Sequence, residues 1–297
     1  MAARIEIPFY LIDVGERFRK KVVDPFVLAY AAGRTPNPCL ACNRHIRFGY
    51  LLDYALRMGA SFLATGHYAR VSAPDADRHG YRLLRGADVA KDQSYVLHML
   101  QQGGLAHVRF PLEGLTKVQV RNKARAMGLS VADREESQDL CFVGGGDYRS
   151  FLRRHAPQAV HPGPIVNLSG RRLGTHKGLA LYTIGQRKGL GVAATEPLYV
   201  LAMHAGSNTL VVGPEAELGR RELTAGGVSF TSGNWPTEPL EVTAKVRYRA
   251  RDVEATVWPL GYGRVRVTFD RPVRDITAGQ AAVFYQGDEC LGGGIVE

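Results

Sequence analysis

The sequence predicts an α/β domain followed by two β-rich ones, and three observations lead there. Over residues 1–150, short apolar runs alternate with amphipathic helical stretches, which implies a parallel sheet. Past about residue 150 the pattern turns to short strands broken by Gly turns. Towards the end these strands become regularly spaced, as in a closed β-barrel. A chain of 297 residues is also too long for one simple domain. The expected divisions are 1–150, 151–215 and 216–297.

PFYLIDV (8–14) reads as a strand, and 16–32 as a helix. GRTPNP (33–38) is a loop, because Gly and two prolines forbid regular structure. The spacing predicts a helix from Asn43 to Met58, with Ile46, Tyr50, Leu51, Tyr54, Ala55 and Met58 on one face. SFLATGHYARV (61–71) reads as a strand entering a Gly-His turn. Ligands of a parallel sheet gather at the carboxyl ends of strands, and Thr65-Gly66-His67 lies at such an end. Lys117–Met127 is a helix capped by Thr116. Short strands and Gly turns follow over 161–213, with a hairpin across Gly206-Ser207-Asn208. From about 240, VTAKVRYRA, VEATVWPL, RVRVTFD, AAVFYQGD and CLGGGIV read as successive strands.

The formal net charge is +10, which favours a polyanionic partner. No run approaches a membrane span and the start lacks a secretory leader, so the expected location is the cytoplasm. Four cysteines in a chain of this length are no disulfide scaffold. Cys290, in a strand pattern, reads as a buried small hydrophobe.

Five segments carry chemistry. In GRTPNPCLACNRHIRFG (33–49) the loop is expected to give way to the helix at Cys42-Asn43. A thiol there would feel the helix dipole, with Arg44 and Arg47 adding positive charge, and all three favour the thiolate. Cys39-x-x-Cys42 with His45 also suits half of a zinc site, although no second C-x-x-C or H-x-x-x-H accompanies it. Glu136-Ser137-Gln138-Asp139-Leu140-Cys141-Phe142 and Lys91-Asp92-Gln93-Ser94-Tyr95 carry no function by composition alone; the second reads as a segment before a helix. Tyr182-Thr183-Ile184-Gly185-Gln186-Arg187-Lys188-Gly189 pairs two cations in a Gly-bounded turn suited to a phosphate backbone. Lys245-Val246-Arg247-Tyr248-Arg249 reads as a barrel strand with three cations on one face.

Taken in order, GRTPNPC-x-x-CN, ATGHYAR, KDQSY, ESQDLCF, YTIGQRKGL and KVRYR resemble the bacterial tRNA-specific 2-thiouridylase (MnmA) family, from about residue 5 to the end. The resemblance implies a partial Rossmann-like adenine nucleotide alpha hydrolase domain, a central β-rich tRNA-binding domain and a C-terminal β-barrel. It implies that Cys141 carries a persulfide received from a sulfur-relay protein, and that Cys42 is the nucleophile. Asn37, Pro38 and Cys39 would meet the target base, and Gly66 would help to bind ATP. His67, Lys91, Asp92, Gln93, Arg247, Tyr248 and Gln280 would contact tRNA. ATP would turn the C2 oxygen of the wobble uridine into a leaving group, with Mg2+ neutralising its phosphates. No resident metal site is expected.

The family's S-G-G-x-D-S nucleotide loop has no counterpart in these 297 residues. The nearest string, Gly144-Gly145-Gly146-Asp147, reads as a plain turn. The expectation is a start placed downstream of that loop or a truncated gene, ahead of a loop supplied by another polypeptide, hence weak ATP binding by this chain alone. Two other readings stand beside the family's: a tRNA-binding remnant without chemistry, and an iron–sulfur thiolase with Cys39, Cys42 and Cys141 as ligands.

Overall fold

The computed structural model describes residues 2–76, 79–134, 140–144, 147–274 and 276–297. Glu136, Ser137, Gln138, Asp139, Gly145 and Gly146, part of two segments singled out above, lie outside the described residues.

Apolar spacing produces two long helices in the first unit. Residues 15–31 and 38–57 are each continuous, with wider π-type turns at Arg19–Val23 and Asn43–Leu51. The second helix starts at Pro38, not at Cys42-Asn43. Asn37 caps it by accepting the Cys39 N–H at 3.0 Å, and Pro38 takes the first helical position, where a missing N–H costs nothing. The i→i+5 turns rotate later residues about the axis. The buried face is therefore Leu40, Ile46, Phe48 and Leu52, while Met58 is exposed.

The predicted strand at 8–14 does not form. Those residues have no regular structure, and Phe9, Tyr10 and Leu11 are exposed. The parallel sheet is small: among the described residues it consists of β1 (Leu63–Ala64) beside β4 (Val108–Arg109). The segment predicted as one strand over 61–71 breaks after β1. It resumes as β2 (Ala69–Ser72), which pairs with β3 (Arg82–Arg85). That hairpin leaves the α/β unit and extends the sheet of the last one. Lys117–Ala126 is a helix closed by a capping box of Thr116 and Gln119.

The central unit has a four-stranded sheet: β5 (Gly163–Val166), β6 (Arg172–His176), β7 (Tyr199–His204) and β8 (Thr209–Gly213). The hairpin turns at Asn208, which takes the left-handed conformation. Residues 179–189 form a single 3-10 turn and loops, not a strand.

The last unit is a closed barrel. β9 (Arg220–Phe230), β10 (Leu240–Lys245), β11 (Val253–Gly261), β12 (Arg264–Val273), β13 (Ala281–Gln286) and β14 (Glu289–Val296) run in the order β13-β10-β11-β12-β9-β14, and β13 pairs with β14 to close it. Sequence reasoning missed β9, whose start is charged and whose middle bends at Gly227 (φ 59°). The predicted strand through Arg249 stops at Lys245. Residues 246–250 turn, so the three cations share no strand face.

Two cores join the units. Leu40, Phe48, Leu52, Leu83 and Tyr95 pack with Ala281, Val283, Tyr285 and Cys290 of the barrel. Phe26 and Tyr30, with Leu140 and Phe142 of the same unit, pack against Leu152 and Ala180 of the central unit. Cys290 is fully buried, as its strand pattern predicts. No helix among the described residues is long and apolar enough to cross a membrane.

Candidate active site

Cys39 and Cys42 stand one turn apart near the start of the helix over 38–57, so both face the same side. Cys42 is the fifth helical residue, beyond most of the dipole's reach, which corrects the expectation of a thiol at the N-terminus. Burial holds its pKa above the ordinary thiol range. Arg47 opposes that shift, and Cys141 adds to it. Cys39 is also raised, by burial first and then by Cys42 and Cys141, with Arg47 again opposing. Arg44 turns away and acts on His45 and His98 instead.

Cys141 is exposed in a turn, because its neighbours are drawn inward. Leu140 and Phe142 enter the core, where the Phe142 ring lies 5.2 Å from both Phe26 and Phe151. The 140–142 turn thus presents its thiol within electrostatic range of Cys39 and Cys42. Among the described residues, no group of three or more His, Cys, Asp or Glu side chains is placed to hold a metal ion. The three thiols are neighbours without converging on one point.

His67 is buried next to this site. Arg47 donates to its Nε2 at 3.1 Å, which leaves the proton on Nδ1, 2.8 Å from the Thr65 hydroxyl. Burial and then Arg47 lower its pKa to about 4. Gly66 is exposed at the end of β1, with open space around it: an added Cβ would meet only Leu112 Cδ1, at 3.8 Å. The neighbouring Thr65 N–H is already given to the Arg109 carbonyl. Among the described residues, nothing beside Gly66 offers the row of backbone donors that a triphosphate takes.

The remaining predicted residues divide by environment. Asp92 is buried, and its carboxylate accepts from Gly86 N–H, Ser94 N–H and Ser94 Oγ. Arg85 approaches Asp92 at 3.8 Å, pairs with Asp252 and lies 3.7 Å over the Tyr285 ring. Gln93 accepts the Tyr68 N–H, and Lys91 is half-buried beside them. Arg247 donates to the Ile184 carbonyl and to Thr277 Oγ1, joining the central unit to the barrel. The Tyr248 ring lies 6.2 Å from that of Tyr95. Gln280 donates to the Thr35 carbonyl at 2.7 Å. Arg187 and Lys188 are exposed in their turn. Sequence reasoning did not find Thr35, Arg85, Asp252 or Gly279, because each acts through a partner far along the chain and no local pattern marks it.

Comparisons with known proteins identify the family. Residues 1–145 match the family described as the tRNA methyl transferase HUP domain, 149–214 the tRNA methyl transferase PRC-barrel domain, and 220–296 the aminomethyltransferase beta-barrel domain. A tRNA-specific 2-thiouridylase MnmA of Roseiflexus castenholzii is 48% identical over 99% of this chain and 83% of its own length. Its counterpart in Magnetococcus marinus is 48% identical over 99% of this chain and 82% of its own. That of Acetivibrio thermocellus is 43% identical over 100% and 82%. With its three domains matched in order, and with relatives this similar over nearly all of its own length, the chain belongs to the MnmA family of tRNA-specific 2-thiouridylases.

Proposed function

We propose that this chain acts in the 2-thiolation of the wobble uridine of tRNA, as a sulfurtransferase with ATP as co-substrate. The observation that carries the reading is the grouping of Cys39, Cys42 and Cys141 beside the loop of Asn37 and Pro38. Cys141 receives a sulfane sulfur from a relay protein. Cys42 then attacks Cys141 Sγ: the Sγ–Sγ bond forms, the bond to the sulfane sulfur breaks, and hydrosulfide leaves with the electron pair. The hydrosulfide replaces the activated oxygen at C2. An exposed thiol at Cys141 suits the residue that meets a donor protein, and the half-buried Cys42 suits a nucleophile that acts inside the site. Asn37, Pro38 and Cys39 form the base pocket in this reading, while His67 and the 91–93, 248 and 280 positions serve the tRNA side and Arg247 holds the central unit to the barrel beside them. ATP and Mg2+ come from the family reading; the steps drawn here concern only this chain's thiols. The remnant reading gives the same tRNA binding without chemistry.

Incubation with tRNA, ATP, Mg2+ and a persulfide donor, followed by nucleoside mass spectrometry, tests this. Formation of 2-thiouridine that is lost in Cys42→Ser and Cys141→Ser supports the reading. Binding of tRNA with no thionucleoside under any donor leaves the remnant reading.

A further inference from the structure

Two segments of the tRNA side stand on one group of charges. Arg85, at the end of β3, pairs with Asp252 and comes within 3.8 Å of Asp92, while its guanidinium lies 3.7 Å over the Tyr285 ring. The Arg85 side chain is 13% exposed, that of Asp92 3% and that of Asp252 33%. Lys245, half-buried at the end of β10, stands within electrostatic range of all three. Two cations thus face two anions, and the group balances. Its members also mark boundaries. Asp92 is the centre of the 91–93 segment, and Lys245 and Asp252 stand at either side of the 246–251 stretch that carries Tyr248. The chain leading on from 91–93 meets that stretch directly, the Tyr95 ring lying 6.2 Å from that of Tyr248.

We propose that Arg85 and Asp252 are positioning residues: with Asp92 and Lys245 they clamp the 91–93 segment to the 246–251 stretch and so fix the spacing at which both meet tRNA. Arg85 suits this place because its fork reaches two carboxylates while its flat face stacks on an aromatic ring. It is too buried to serve as a phosphate contact itself. A buried charge that loses its partner is costly, whereas a balanced group is not, so the clamp holds only while its charges match. That the clamped segments meet tRNA rests on the thiolation reading; the clamp itself does not.

Hydrogen exchange of the protein alone, with tRNA binding measured beside it, tests this. Arg85→Gln leaves the group with an excess negative charge and Asp252→Asn with an excess positive one, while the double variant is balanced again. In each single variant amide exchange should quicken about tenfold over both 86–95 and 246–251. The tRNA Kd should rise about tenfold with an unchanged salt slope, since no phosphate contact is lost. In the double variant both effects should shrink to about threefold or less, because the two sites are coupled. Independent damage would add instead, leaving the double variant the worst of the three, and that result overturns the clamp. So does quicker exchange in one segment only. Quicker exchange in both with unchanged tRNA affinity overturns the positioning role, as does a salt slope smaller by about one, which would make Arg85 a phosphate contact. Leu223→Ala, in the barrel core, lowers stability without touching the clamp. An equal loss of tRNA affinity there, at a matched melting temperature, would mark general loosening and overturn the proposal too. Exchange needs no tRNA, so a wild-type chain that fails to bind tRNA would remove the functional reading and leave the clamp tested.

Discussion

Arg47 is the cation that faces the thiols. It lowers the pKa of Cys39 and of Cys42 and donates to His67. Arg47→Met should therefore slow alkylation of both thiols at pH 8, because less thiolate is present, and should raise the His67 pKa from about 4. Alkylation rates and imidazole NMR titration check the two effects, and an unchanged thiol rate would separate Arg47 from the cysteines. In the wild type the Cys42 rate should still be climbing above pH 9, since burial holds that thiol above its ordinary value of 9.0. His98 supplies a second pH effect. Fully buried, with Nδ1 on the Tyr95 carbonyl, it has a folded pKa of about 4 against 6.5 unfolded. The folded value is the lower, so the contribution of neutral His98 to stability is complete above pH 6.5 and drains away as pH falls towards 4. His98→Gln should flatten the denaturant midpoint across that window. An equally steep profile in the variant would assign the loss to other groups.

At the scale of elements, the turn after β3 and the 91–94 segment are held by one carboxylate. Asp92→Ala would leave Gly86 N–H, Ser94 N–H and Ser94 Oγ without their buried acceptor, while Arg85 keeps Asp252, and should lower unfolding stability by about 3 kcal/mol, the cost of stranding buried donors. Urea titration measures it, and a loss below about 1 kcal/mol would place Asp92 with surface pairs. The sequence made the helices legible because their caps are local: Thr116 with Gln119, and the Pro-rich loop before Cys39. It made the barrel legible because five of its strands are short, apolar and regularly spaced along the chain. It failed where the signal is not local. The 8–14 run has the composition of a strand, but β1 and β4 pair with each other and not with it. The helix face was misread because nothing in the composition announces π-type turns at Asn43–Leu51. The thiols were legible as candidates, but their grouping depends on Phe142 anchoring a distant turn. Gln280 and Thr35 lie 245 positions apart, so no pattern in the chain links them.

For the whole molecule, the net charge of +10 says that a polyanion is attracted, and the fold says which cations are available to it. Arg247 is engaged between two units, whereas Arg187 and Lys188 are exposed. Reversing Arg187 and Lys188 together to Glu should weaken tRNA binding and reduce its dependence on salt, since fewer counterions are released. Arg247→Glu should instead lower the melting temperature first. Binding isotherms at several salt concentrations, with calorimetry, separate the two. An unchanged salt slope in the double variant would remove the 182–189 turn from the tRNA surface.

The core shared by Leu40, Phe48, Leu83 and Tyr95 with Val283, Tyr285 and Cys290 also matters for how the protein is made. A ribosome delivers the first of these residues long before the last. While roughly two hundred residues are being synthesised, the apolar face of the helix bearing Cys39 and Cys42 has only its partners in the early domain, such as Tyr95 and Phe110, and lacks those of the barrel. The early domain therefore cannot finish folding as it emerges, in the way independent domains do. It must wait, shielded by a chaperone or loosely collapsed, until β13 and β14 leave the exit tunnel. Stalled nascent chains ending at residue 215 should be cut by protease within 38–57, and chains carrying the whole barrel beyond the tunnel should resist. Protection of the shorter chain would show that the early domain completes its core without the barrel.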